Sequence, residues 1–264
     1  MLRLGFELAR RGYRRYAAYP GAMWAGVFTN TFFGFLIAYT LLAVFEQRDV
    51  VGDYDARDAV TYTWLAQGML MTIYLWGWFE VALRVRSGDV ATDLQRPLDL
   101  QGYWLAQDLG RAAYHALFRG VPPFVLGALV FDVLVPGNPL VWLAFLVSLT
   151  LAVVTSFAFR FLFNLAAFWL LDYRGVGVLA MVASTFFSGQ IVPIAFFPHW
   201  LSLLAWALPF AAMVQAPIEI WLGHAEGLEL VGLIALQAFW AGALLLAGRA
   251  VLAAGMRKLV IQGG

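Results

Sequence analysis

The chain has 264 residues, a net charge of +1, and 12% charged against 62% hydrophobic residues; its mean hydropathy is +0.78. A soluble domain carries about 25% charge, so this chain could not cover itself in water, and its near-neutral balance leaves no electrostatic footprint for nucleic acid. It has no cysteine, which excludes disulfides and thiolate chemistry.

Residues 1–20 come first. They place Leu2, Phe6, Ala9 and Tyr13 near one helical face and Glu7, Arg10, Arg11 and Arg14 largely on the other, and Pro20 ends the helix. This reads as an amphipathic helix at the membrane surface, or as an arginine-rich topology anchor. The stretch does not read as a signal peptide. Residues 16–45, 59–79, 133–159 and 230–248 then hold no Asp, Glu, Lys or Arg. Each reaches or approaches the roughly 20 residues that a helix needs to cross hydrocarbon. Strict two-residue alternation is absent, which argues against a β-barrel.

The chain is therefore expected to be an all-α membrane protein of six transmembrane helices, at 22–45, 59–83, 110–133, 140–165, 175–197 and 229–252. Pro122-Pro123 should kink the third. Residues 198–222, apolar but broken by Pro198, Pro209 and Pro217, are expected as a re-entrant pair of short helices covered by protein. Arginine and lysine alternate between connections. The N-terminal segment, the segment around Arg84 and Arg86, the one near Arg174 and the C-terminus are basic, while the first loop is acidic and 198–228 has no Lys or Arg. The positive-inside rule then puts both termini in the cytoplasm, and 86–101 with them.

That cytoplasmic segment, "RSGDVATDLQRPLDLQ", has a turn at Ser87-Gly88-Asp89, a candidate N-cap at Ser87 or Asp89, and room for one and a half helical turns. Pro97 then biases Arg96 away from helix. The reading is a short capped knob across two span ends, or an ordinary loop. Near it, Glu80 and Arg84 can pair at i, i+4, as a structural pair or as part of the transmission of movement. Asp108, Arg111, His115 and Arg119 form one polar stripe entering the third span, and Arg160 is similar. Such charges face other helices, a cavity or a partner subunit, or contact cargo. The aromatics of the second span (Tyr62, Trp64, Tyr74, Trp76, Trp78, Phe79) are interface belt or a wall for cationic molecules. Gly177, Ala180, Ser184 and Ser188 form a small-residue stripe on the fifth span. The dispersed histidines predict no metal site, and no nucleophilic triad converges.

"SGDVATDLQRPLDLQGYWLAQDLGRA" resembles the second-to-third-span loop of ABC-2-type permeases, most closely the viologen- and daunorubicin-exporter branch. "FFSGQIVPIAFFPHWLSLLAWALPFAAMVQAPIEIWLG" and "MRKLVIQGG" resemble that branch's fifth span with its external re-entrant pair and its tail. The resemblance covers nearly the whole chain and implies the ABC-2 (type V) exporter fold. It also implies that Asp89, Val90, Ala91, Thr92, Asp93, Leu94, Gln95, Arg96 and Pro97 form a coupling helix docked on a cytosolic ATPase. Asp89, Asp93 and Arg96 would be its polar contacts, and Val90 and Leu94 its apolar ones. The N-terminal helix would be a connecting helix abutting the same ATPase. Gln95 departs from the hydrophobic residue common before the family's Arg-Pro.

The single lysine, Lys258, stands outside any G-x-x-x-x-G-K-[ST] pattern, so the chain holds no nucleotide cofactor of its own. ATP and Mg would be bound by the partner. The implied assembly is two ATPase subunits and a second permease, identical or related, among lipid in a bacterial inner membrane, with small amphipathic or drug-like cargo exported. A secondary transporter without ATPase is the alternative; it would favour an inverted repeat and midplane acids, which the sequence lacks.

Overall fold

The computed structural model describes residues 2–95, 98–170 and 172–258. Among these the architecture is helical, with one isolated β-bridge between Val51 and Tyr54. Four continuous helical stretches are long and apolar enough to cross a bilayer: Pro20–Phe45, Leu100–Val130, Pro139–Phe168 and Leu228–Met256.

Helix α1 (Leu2–Ala17) lies along α6 (Leu100–His115). Glycines bring the two backbones together: a Cβ on Gly110 would sit 1.8 Å from the Ala9 carbonyl oxygen, and one on Gly12 would sit 2.1 Å from that of Gln107. The contact therefore forms around Leu8, Gly12, Tyr13 and Tyr16. Phe6, on the expected apolar face, is 68% exposed. Glu7, Arg10, Arg11 and Arg14 are exposed as expected.

Helix α2 (Pro20–Phe45) packs on α3 (Ala56–Met69) and α7 (Val121–Val130). Asn30 donates to the Gln67 carbonyl at 3.0 Å. The rest of α2 presents Trp24, Phe28, Phe32 and Leu36 outward, the surface expected of a helix in lipid. Asp55 and Asp58 form a capping box that starts α3.

The second expected span, 59–83, is broken. α3 widens into a π-turn at Leu70–Tyr74, the chain unwinds, and α4 (Glu80–Ser87) resumes. Tyr74 has φ 59° and Gly77 φ 72°, backbone that no continuous helix contains. Gly88, at φ 81°, then reverses the chain into α5 (Val90–Leu94). The third span is longer than expected. α6 continues through a π-turn at Ala116–Gly120 into α7, with Pro122 and Pro123 inside α7's first turn, where their missing N–H groups cost least.

Helix α8 (Pro139–Asn164) ends in a 3₁₀ turn at Leu165–Phe168. α9 (Arg174–Phe187) has 14 residues and stops ten short of the expected end at 197. Gly189, at φ 86°, turns the chain there. Gly177 receives the Phe79 ring, which a Cβ would meet at 2.2 Å. Ser184 and Ser188 of the same small-residue stripe are buried too. The segment expected as a re-entrant pair forms two short helices, α10 (His199–Ala207) and α11 (Gln215–Leu222). α11 is almost wholly buried in the main core with α3 and α8, so protein covers its backbone as the bilayer requires. α12 (Leu228–Met256) packs along α8.

Candidate functional site

The unwound segment between α3 and α4 leaves backbone groups without helical partners, and neighbouring side chains supply them. Ser156 donates to the Ile73 carbonyl at 2.8 Å. Asn164 donates to the Trp78 carbonyl at 2.8 Å and accepts from the Ala82 amide at 3.0 Å. Arg111 donates to the carbonyls of Met71 and, at 3.0 Å, Thr72. Each bond replaces one that would otherwise be orphaned in a low-dielectric interior.

Arg111 also joins a buried ion cluster. Asp108 binds Arg111 and Arg160, each at 2.7 Å, and all three side chains are 5% exposed or less. Two guanidinium groups against one carboxylate leave one excess positive charge. The carbonyls of Met71 and Thr72 accept part of it. The Tyr74 ring lies 4.7 Å from the Arg111 guanidinium and 5.4 Å from that of Arg160, and the Trp78 ring 5.3 Å from the latter.

The expected single polar stripe therefore divides. Asp108 and Arg111 turn inward to Arg160. His115 packs under α1, its ring 4.9 Å from that of Tyr16, with no hydrogen-bond partner on either nitrogen. Arg119 swings over Gly26 of α2, where a Cβ would lie 2.1 Å from its Cζ. The π-turn adds to the residues per turn between 115 and 119 and rotates the latter out of line. Half of the second-span aromatics are buried. Tyr62, Trp64 and Trp78 are in the interior, while Trp76 is 41% exposed and donates to Thr185 of α9 at 2.7 Å.

The expected Glu80–Arg84 pair does not form. Glu80 pairs with Arg15 of α1 at 2.9 Å, and Arg84 makes a two-pronged contact to Asp93 of α5. The turn at Gly88 folds α5 back so that Asp93 lies closer to the Arg84 fork than Glu80 does. Beyond it the expected side-chain cap is absent. Ser87 bonds to the Asp89 carboxylate at 2.8 Å, and neither caps α5. Val90 is 1% exposed and Leu94 half-buried, both against the chain's own Trp78–Trp104 core. Ala91 is half-buried, and Asp89, Thr92 and Gln95 form the outward crest. Arg96 and Pro97 lie outside the described residues.

A second polar assembly, absent from the sequence reading, sits at the opposite end of α3. Glu219 of α11 accepts from Tyr54 at 2.7 Å and contacts His224 at 2.9 Å. His224 reaches Asp58 at 3.4 Å. Gln215 accepts from Tyr62 at 2.7 Å and from the Ile194 amide at 3.0 Å. The bond to Glu219, reinforced by the charges of Glu219 and Asp58, raises the His224 pKa against the opposing effect of burial. Gln215 and Glu219, four apart on an otherwise apolar helix, were the available signal.

The chain thus carries one mechanical line. α5 is tied to α4, α4 to α1, and α4 joins α3 through an unwound segment clamped by charges from α6 and α8. The family model for the ABC-2 family transporter protein matches residues 28–263. No curated protein and no solved structure matches the chain. With that match over most of its length, this multi-pass helical chain belongs to the ABC-2 transporter family, as a permease component of an ABC transporter whose family associates with an ABC ATPase.

Proposed function

We propose that this chain is the permease subunit of an ATP-driven exporter and forms half of a translocation path in a bacterial inner membrane. Six membrane passes, with α3–α4 and α9 as the two shorter ones, leave both termini in the cytoplasm. Two cytosolic ATPase subunits bind ATP and Mg, and a second permease, identical or related, completes the path. The exposed crest of α5 (Asp89, Thr92, Gln95) and the basic face of α1 meet the ATPase. Small amphipathic or drug-like molecules from the cytoplasm or inner leaflet are the cargo.

The observation that carries this reading is the linkage Asp93–Arg84 and Glu80–Arg15 at the end of an unwound span. A push on α5 reaches α4 as a body. The segment 75–79, which lies outside both helices, lets α4 turn against α3. Gating by a few residues that absorb the dihedral change is the usual form of such motion.

The test exploits the absence of cysteine. Thr92→Cys in the full chain, coexpressed with an ABC ATPase that copurifies with it, should cross-link to that ATPase and resist an impermeant thiol reagent applied from outside. Labelling of Thr92→Cys from outside, or an ATPase that copurifies without cross-linking, overturns the reading.

A further inference from the structure

Arg119 stands inside the continuous stretch Leu100–Val130, without the partners that satisfy Asp108, Arg111 and Arg160. Among the described residues no carboxylate, carbonyl or hydroxyl meets its guanidinium. Nε is buried with no acceptor, while Nη1 and Nη2, equally unpartnered, keep accessible surface. An arginine within a membrane span is costly unless an anion or water meets it.

Two sides of the site are set by the fold. On one, Gly26 of α2 seats the guanidinium: a Cβ there would lie 2.1 Å from Cζ and 2.2 Å from Nε and Nη2. On the other, Leu117, Phe118 and Val121, its neighbours around the π-turn, are exposed apolar side chains, so the site opens to lipid. Its depth can be read from α2. Tyr19 and Trp24, 69% and 64% exposed, are the amphipathic aromatics that a span carries at headgroup level. Gly26 is two residues further in, about 3 Å. Helical side chains lean toward their own N-terminus, which turns Arg119 back toward the face where α1 crosses α6.

We propose that Arg119 binds the phosphate of a membrane phospholipid in the leaflet that α1 lies against. Nη1 and Nη2 donate to phosphate oxygens in the fork geometry that suits an oxyanion, and the acyl chains run along Leu117, Phe118 and Val121. The phosphate plane supplies an anion at this depth wherever the surface faces lipid. The assignment requires only that the chain spans a bilayer, and its test needs no transport and no ATP.

The full chain, with whatever ATPase copurifies, is placed in nanodiscs of a neutral, phosphate-free glycolipid. They hold a trace of phosphatidylglycerol with a photoreactive group at the top of one acyl chain. Labelling of residues 117–126 is scored against the start of α8, where Leu140, Leu143 and Leu146 face outward without a charge. The unaltered chain should be enriched at 117–126. Arg119→Met should lower that ratio about 10-fold, the factor that one charge-assisted hydrogen bond produces. Arg119→Lys, which keeps a cation on a long stem, should retain most of it. Unlabelled phosphatidylethanolamine should compete, and a large excess of inorganic phosphate should not. A ratio that Arg119→Met leaves unchanged overturns the proposal. Loss in Arg119→Lys equal to that in Arg119→Met also overturns it, because the role is then packing and not charge. Displacement by inorganic phosphate overturns it in favour of a soluble anion. No enrichment at 117–126 in the unaltered chain overturns it as well, and leaves a partner's carboxylate as the counter-ion.

Discussion

Asp108→Asn is the most informative single change, because it keeps shape and removes the one negative charge in the buried cluster. Oδ1 of Asp108 accepts from Arg111 Nε at 2.7 Å and Arg160 Nη1 at 3.2 Å, and Oδ2 accepts from Arg111 Nη2 at 3.2 Å and Arg160 Nη2 at 2.7 Å. Asparagine keeps one acceptor. Two of these bonds are lost, and an NH₂ group is set against guanidinium donors. Charge-assisted hydrogen bonds contribute about 1.5–3 kcal/mol each, and stranding a buried charge costs about 3–5 kcal/mol. The two routes give losses of about 3–6 kcal/mol and about 3–5 kcal/mol, a large part of a typical total of about 5–15 kcal/mol. Arg160→Met is the control. It removes a partner yet leaves Asp108 and Arg111 as a neutral pair, so it should cost distinctly less. Denaturing-detergent titration of the purified variants measures both. An Asp108→Asn protein within ~0.5 kcal/mol of the unaltered chain, the scatter of ordinary surface changes, would refute the reasoning. So would an Arg160→Met variant that is the more damaged of the two.

Further changes address the rest of the line. Gly110→Leu cannot keep α1 in place, since its Cβ alone would lie 1.8 Å from the Ala9 carbonyl oxygen; spin-label distances between α1 and α6 should lengthen while the core of α3 and α8 stays folded. Arg15 and Glu80, half-exposed and partly exposed, should show a coupling energy of about 0.2–1 kcal/mol in a double-mutant cycle. Asp93→Asn should leave ATPase binding intact while lowering transport per ATP hydrolysed, because the knob loses its charged tie to Arg84. At the other end of α3, the raised pKa of His224 fixes a sign: its contribution is complete below the ordinary histidine value of about 6.5 and is lost as pH rises through the raised folded value. Stability should fall across that window, and His224→Gln should remove the dependence.

The helices that face lipid were plain in the sequence because lipid asks for a single property over twenty residues. Their uncharged runs located α2, α8 and α12 to within a few residues. That 198–222 forms two short helices and not one long one was equally legible from its prolines. The broken second span was not. Residues 59–79 are uncharged and read as one helix, yet continuity there depends on what stands beside the chain. Ser156, Arg160 and Asn164 recur every four residues along α8, and that stripe was the trace of a neighbour needing hydrogen bonds. Only the fold shows that the neighbour is Ile73–Ala82.

The pairings of the charged residues failed in the sequence for a related reason. Spacing of four offers Glu80 to Arg84 whenever both lie on one helix, but an exposed pair gains little, so any tertiary partner with better geometry wins. The turn at Gly88 and the crossing at Gly12 and Gly110 supply those partners, Asp93 and Arg15. The same glycines that carry no chemistry thus decide which charges meet. A span that would have been rigid as one helix instead becomes two bodies joined by a segment whose backbone is held from outside. Its freedom to move is set by how readily Arg111, Ser156 and Asn164 let go of it, which ties the energetics of the buried cluster directly to the mobility of α4.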